Sequence, residues 1–239
     1  MSSIYDKSSL VLIPSGTKAS KIYSQKPTNG DGDFTFSRST SATRVNADGN
    51  IEKETQNLLL QSNTLDTTWA LSSASITGGH SGYDGTNTAW ELTKAAASGR
   101  VQQTISTSGV QTYSVYAKAG SYDWALLLVT TTSGDRIGYF DLANGVVGTG
   151  FRLIDSSIES VGGGWYRCTI VFNASTTTAR VYPALDDTSL GTSGSIYIQD
   201  AQLEQGLVAR DYIETTTTAV EGGITDNVPR LDYTDSSCP

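Results

Sequence analysis

The chain has 239 residues, enough for one sandwich-sized domain with flanking arms or for two small domains, and a single main core is the simpler reading. Its net charge of -8 argues against a nucleic-acid partner: Lys18, Lys21 and Lys26, the nearest basic grouping, are spread through a polar segment and read as a solvated face. No apolar run has the length needed to cross a bilayer, so no membrane partner is expected, and Met1-Ser-Ser-Ile-Tyr-Asp lacks the regions of a secretion signal, which implies synthesis in a cytoplasm.

In chain order, residues 1–56 hold short apolar runs, with Leu10, Leu12, Phe34 and Phe36 as the anchors, separated by turn signals at Pro14-Ser-Gly, Lys26-Pro-Thr-Asn-Gly-Asp-Gly and Ala47-Asp-Gly-Asn. Segments this short bury too little apolar surface to offset backbone ordering alone. They are expected to form an attachment arm that orders only against another surface. From Asn57 the pattern changes to short apolar runs with turns between them. Tyr113, Val115 and Ala117 alternate with Ser114, Tyr116 and Lys118, as in a strand with one face buried. Further strands are predicted over 89–93, 100–106, 124–130, 135–141, 150–160, 165–173, 179–184 and 195–204, a spacing that suggests a sandwich. Ala95-Ala-Ala97 is too short for a helix and reads as a loop.

The phrase Ser195-Ile-Tyr-Ile-Gln-Asp-Ala-Gln-Leu-Glu-Gln-Gly206 is the most telling. Ile196 and Ile198 share one strand face, while Ala201 and Leu203 have the opposite parity, so a regular strand cannot bury all four; a bulge near Gln199 and Asp200 would. In the strand from Trp165, Cys168 alternates with Tyr166, Ile170 and Phe172 as a small core residue, and Trp165 falls on the opposite face. With only Cys168 and Cys238 in the sequence, neither a disulfide framework nor a zinc site is supported. The fold class is therefore all-β: a jelly-roll sandwich over 57–215, preceded by an extended N-terminal arm (1–56) and followed by an extended C-terminal linker (216–239).

Two parts of the chain resemble one family. The leader Ser9-Leu-Val-Leu-Ile-Pro-Ser-Gly-Thr-Lys18, with Ile22-Tyr23, Gly32-Asp-Phe-Thr-Phe-Ser-Arg38 and Ala42-Thr-Arg-Val-Asn46, is similar to that of tailed-bacteriophage virion proteins of the head-fibre or tail-fibre type. Asn57-Leu-Leu-Leu-Gln-Ser-Asn63, Trp69, Ala201-Gln-Leu-Glu204 and Tyr212-Ile213 resemble the carbohydrate-binding-module-like jelly roll that such proteins carry. The resemblance implies a virion structural protein, made in the host cytoplasm. It would be anchored by its arm to capsid or tail proteins and would form an oligomer, with trimers the usual habit. It also implies that Pro229-Arg-Leu-Asp-Tyr233 leads into further modules beyond residue 239.

Candidate chemistry is sparse. His80, the only histidine, lies in a Gly-rich loop with nothing to orient it, and no pair of acids stands out as a glycosidase dyad, so no enzyme is expected. Binding of a host surface polysaccharide is the alternative role. Tyr83, Tyr116 and Trp124 are the leading aromatic platforms, with Trp90 and Tyr122 beside them, and Tyr116 should stand free because Val115 and Ala117 point inward. No cofactor is required, although Asp186, Asp187 and Asp200 are candidate ligands for a structural calcium ion.

Overall fold

The computed structural model describes residues 56–219 throughout. Outside them it describes only short strands: Thr17–Lys18, Lys21–Ile22 and Phe34–Thr35 in one ladder, Thr43–Val45 with Ile51–Lys53 in another, and Val220–Glu221. Thr55–Val220 form one compact unit, and Met1–Glu54 group separately with Glu221–Pro239. Leu10, Leu12 and Phe36 lie outside the described residues, as does the side chain of Phe34.

The compact unit is a two-layer antiparallel sandwich. Its strands are β1 (Ala70–Ser72), β2 (Ala74–His80), β3 (Ala89–Lys94), β4 (Arg100–Thr107), β5 (Val110–Ala119), β6 (Trp124–Thr131), β7 (Arg136–Asp141), β8 (Val146–Phe151), β9 (Asp155–Gly162), β10 (Trp165–Asn173), β11 (Thr176–Ala184) and β12 (Gly194–Gln205). One six-stranded sheet runs β8-β7-β6-β11-β4-β1 and the other β9-β10-β5-β12-β3-β2. The chain crosses between the layers after β1, β3, β4, β5, β8, β10 and β11, which wraps the two sheets around each other and places sequence-distant strands such as β5 and β12 side by side. The all-β sandwich read from turn spacing is the fold observed, and no helix long and apolar enough to cross a membrane occurs among the described residues.

The core lies between the sheets. Tyr113, Val115 and Ala117 of β5, Cys168, Ile170 and Phe172 of β10, and Ile196 and Ile198 of β12 face Leu127 and Val129 of β6, Phe140 of β7 and Val181 of β11. Full burial of each large aliphatic or aromatic side chain contributes about 1.5–3 kcal/mol, so this layer dominates stability. Cys168 is wholly buried, and the apolar surroundings push its thiol well above the ordinary range.

The predicted bulge is present. Ser114 pairs with Gln202 and Tyr116 with Gln199, so two steps on β5 face three on β12; Asp200 takes φ 52°, and Ile196, Ile198, Ala201 and Leu203 are all buried. The predicted 150–160 strand is instead two, β8 and β9, because the chain turns at Arg152 (φ 56°) and leaves one sheet for the other. Strands β1 and β2, both sheet-edge strands, were not predicted: β1 is short and mostly exposed, and the alternation of β2 is confined to Ala74–Thr77 before Gly78 and Gly79.

The points where the chain enters and leaves the sandwich are tied by Asn57. Its amide nitrogen donates to the carbonyls of Ala201 (3.0 Å) and Ile213 (2.9 Å), and its oxygen accepts from the amides of Leu59 and Leu203 (both 3.2 Å). A fully buried asparagine is tolerated here because donor and acceptor are both saturated.

Candidate binding site

Tyr116, Arg167, Trp165 and Tyr197 point outward from the β5–β10–β12 sheet, as parity requires, but much of that face is covered. The 81–88 segment lays the Tyr83 ring on Tyr116 at 3.9 Å and 8°, and the Arg167 guanidinium lies over Tyr116 at 5.4 Å. The Tyr83 hydroxyl donates to Asp200 Oδ2 (2.8 Å) and the Tyr83 amide to Gln199 Oε1 (3.2 Å), so the residues at the bulge hold the covering segment down. A Cβ at Gly82 would sit 2.2 Å from Gln199 Oε1, so any side chain there would have to displace the Gln199 amide. On the other side the 207–216 strap follows the sheet. Its Arg210 and Ile213 amides donate to Glu204 Oε1 (3.0 Å) and Gln202 Oε1 (2.8 Å), and the Arg210 carbonyl accepts from Arg167.

Tyr116 therefore does not stand free: it is 8% exposed, and Tyr83 is its cover. The parity argument placed the ring on the correct face but could not see a segment about thirty residues upstream lying on it. Trp165, also outward, is 2% exposed and clusters with Tyr116 and Ala89.

Two acids are shut in beneath these covers. Burial pushes the Asp200 carboxyl up to about 6, and the negative charges of Asp84 and Glu214 add to the rise against hydrogen bonds from Tyr83 and Tyr212. Burial likewise raises Glu204, opposed by bonds from the Arg210 amide and Gln202. At 3% and 1% exposure neither acid is open to a substrate. His80 Nε2 lies 3.9 Å from Glu91 Oε2, beyond hydrogen-bond reach, with its ring tilted against Tyr197.

Trp124 lies on the outer face of the other sheet, half-buried in a cluster with Leu126, Leu128, Tyr139, Tyr182 and Leu190. Tyr122 packs against Gly191 and Gly194, where a Cβ would collide with its ring. The calcium candidates do not converge. Asp186 Oδ1 accepts from the amides of Thr188 and Ser189 (both 2.8 Å), Asp187 binds the Thr149 amide and hydroxyl, and Asp200 lies on the opposite sheet. No group of three His, Cys, Asp or Glu side chains able to hold a metal occurs among the described residues.

A cation does tie this loop, and it is a side chain. Lys94 is 1% exposed, and its Nζ donates to the carbonyls of Ala97 (3.0 Å), Pro183 (3.0 Å) and Leu190 (2.6 Å). Burial pushes the ammonium down to about 8. Sequence reasoning missed it, although Lys94 shares the inward parity of Leu92.

One hollow combines an aromatic face with uncommitted polar groups. About 300 Å³ opens at one end of the sandwich between Asn63, Gly78, Gly79, Asn87, Trp90 and Glu214. The indole N–H of Trp90 donates to the Asn63 carbonyl (2.9 Å), which fixes the ring, and Gly78 lies against the six-membered ring, where even a methyl group would come within 3.0 Å. The Asn63 side-chain oxygen has no hydrogen-bond partner.

No protein-family model matches the chain. No curated protein matches it either. Among solved structures it is similar to the enzymatically active domain of tailspike protein 4 of bacteriophage CBA120 (TM-score 0.36, 14% identity, 64% of this chain and 21% of that one). It is also similar to a carbohydrate-binding and catalytic two-module piece of Clostridium thermocellum endo-1,4-β-D-xylanase 10B, complexed with xylohexaose (TM-score 0.38, 13% identity, 65% of this chain and 29% of that one). The chain spans about a fifth of the first protein and under a third of the second, and likenesses this distant carry no functional assignment.

Proposed function

We propose that this chain is a non-enzymatic structural component of a tailed-phage virion, a head-fibre or capsid-attached appendage whose N-terminal arm docks on other virion proteins and whose sandwich is displayed. The leader's resemblance to phage fibre proteins supports the location. The observation that carries the display reading is that Asp200 and Glu204, the acids that burial raises, are shut away from solvent and serve to hold the covering segments in place. The arm would dock by strand addition, with Leu10, Leu12, Phe34 and Phe36 as apolar anchors. The test is deletion of residues 1–56: virions should lose the protein, and normal incorporation of the shortened chain would contradict the reading. Sedimentation of the intact protein tests the trimer.

A second reading, a module that binds host surface glycan, is favoured by the hollow around Trp90, where an aromatic ring, the exposed Asn87 amide and the exposed Glu214 carboxylate share one concave site. A glycan array probed with the intact chain tests it.

A further inference from the structure

We propose that the hollow around Trp90 is a saccharide site that takes a neutral pyranose, bound by its ring face and a pair of neighbouring hydroxyls; this rests on the second reading above. The argument starts from the ring. The indole N–H is already bound to the Asn63 carbonyl, so Trp90 offers a ring held at a fixed angle, and stacking on it costs little side-chain ordering. Gly78 and Gly79 keep the wall beside it low: Gly79 takes φ +87° and has open space where a Cβ would lie.

The polar groups around the ring match vicinal hydroxyls. Asn87 and Glu214 are exposed and make no hydrogen bond or ion pair among the described residues, whereas the Asn63 side-chain oxygen is buried without a partner and is not among the groups a sugar would meet. An amide both donates and accepts, and a carboxylate can accept from two adjacent hydroxyls, so together they suit a diol edge presented to an aromatic floor. Charge selects the class. The lining contains Glu214 and no Lys or Arg, so a uronate or phosphorylated sugar would bring a second negative charge against a carboxylate with no cation to offset it.

Two other hollows lack this combination. The one near Lys118 offers Tyr197 and His80 but no amide side chain, and the one beneath the strap is lined by Arg167, acids, hydroxyls and aliphatic residues without an aromatic ring. The Tyr83–Tyr116 stack is closed on itself.

The test uses the whole chain. It is titrated with gluco-, manno- and galacto-oligosaccharides and with hexuronate oligomers of equal length, while the Trp90 indole N–H resonance is followed by NMR and identified with Trp90→Phe. The expected result is that a neutral oligomer binds and shifts that resonance, and that Asn87→Ala and Glu214→Gln each weaken binding roughly tenfold without changing the fold. Neutral binding that leaves the resonance unmoved and survives both substitutions would overturn the site while leaving the glycan reading standing. Preference for hexuronates would overturn the neutral class, and absence of binding across the panel would remove both the site and the reading it rests on.

Discussion

Asp200→Asn should make the protein more stable at neutral pH, which is an unusual outcome for a change at a buried, hydrogen-bonded residue. Burial raises the carboxyl from its ordinary 3.8 to about 6, a rise of roughly 2 units, so ionising Asp200 in the folded protein costs about 3 kcal/mol above pH 6. The sign follows from proton counting. Between about pH 4 and 6 the folded state binds more protons than the unfolded one, so stability falls as pH rises through that window and stays low above it. Asparagine removes the charge and keeps an oxygen to accept the Tyr83 hydroxyl, and it tolerates the φ of 52° that the bulge imposes better than most residues do.

Urea unfolding of both proteins from pH 3.5 to 8 measures this directly. The variant should gain up to about 3 kcal/mol at pH 7, and the advantage should shrink as pH falls towards 4 and vanish below it, where the aspartate becomes protonated in both states. Glu204, raised in the same direction, adds its own slope to both proteins and cancels in the difference. A variant no more stable than wild type at pH 7, or a difference independent of pH, would refute the claim that the covers are clamped on an acid whose charge is unfavourable.

Lys94→Met keeps the buried stem but leaves the carbonyls of Ala97, Pro183 and Leu190 without their donor, and chemical denaturation should show a loss of about 2–4 kcal/mol. Asn57→Ala breaks the side-chain bonds that tie the start of the sandwich to Ala201, Leu203 and Ile213, with an expected loss of about 3 kcal/mol; hydrogen exchange should show the Leu203 amide losing protection. Gly138→Ala drives a methyl to 2.5 Å from Ile170 Cγ2 between the two sheets, and the overpacking should cost about 1–3 kcal/mol, read as a lower melting temperature.

What the sequence disclosed and what it hid divide along one physical line. The bulge was legible because the parity of Ile196, Ile198, Ala201 and Leu203 can be satisfied in only one way once all four must be buried. Cys168 and the outward side of Trp165 followed from the same alternation. Alternation reports which sheet face a residue takes, however, and not what lies on that face. Tyr116 is outward yet buried because 81–88 returns over it, and no local pattern announces that return. The inward lysine at 94 is the converse: its parity signalled burial and its charge signalled exposure, and only three carbonyls brought together from distant parts of the chain make the two compatible. The hollow around Trp90 could not be assembled from sequence for the same reason, since Asn63, Asn87 and Glu214 come from segments on three sides of it.

The covers also decide where a displayed sandwich could meet a ligand. With Tyr116 and Trp165 buried beneath the 81–88 segment and the strap, and Trp124 packed with Leu126 and Tyr182, the rings first read as platforms are engaged in holding the fold together. Trp90 is half-buried yet lines an open hollow at the end of the sandwich, beside exposed Asn87 and Glu214. A site of this size grips only one or two sugar rings, so its affinity alone would be weak. Display of several copies on one particle would convert that weak contact into firm attachment through effective concentration, without any additional contact on the sandwich itself. The dependence is measurable: a chemically tethered multimer of the chain should hold a polysaccharide-coated surface far longer than the monomer, and Asn87→Ala should shorten the multimer's residence by much more than its single-site effect. Equal residence of monomer and multimer would mean that the hollow faces away from any surface the copies can share.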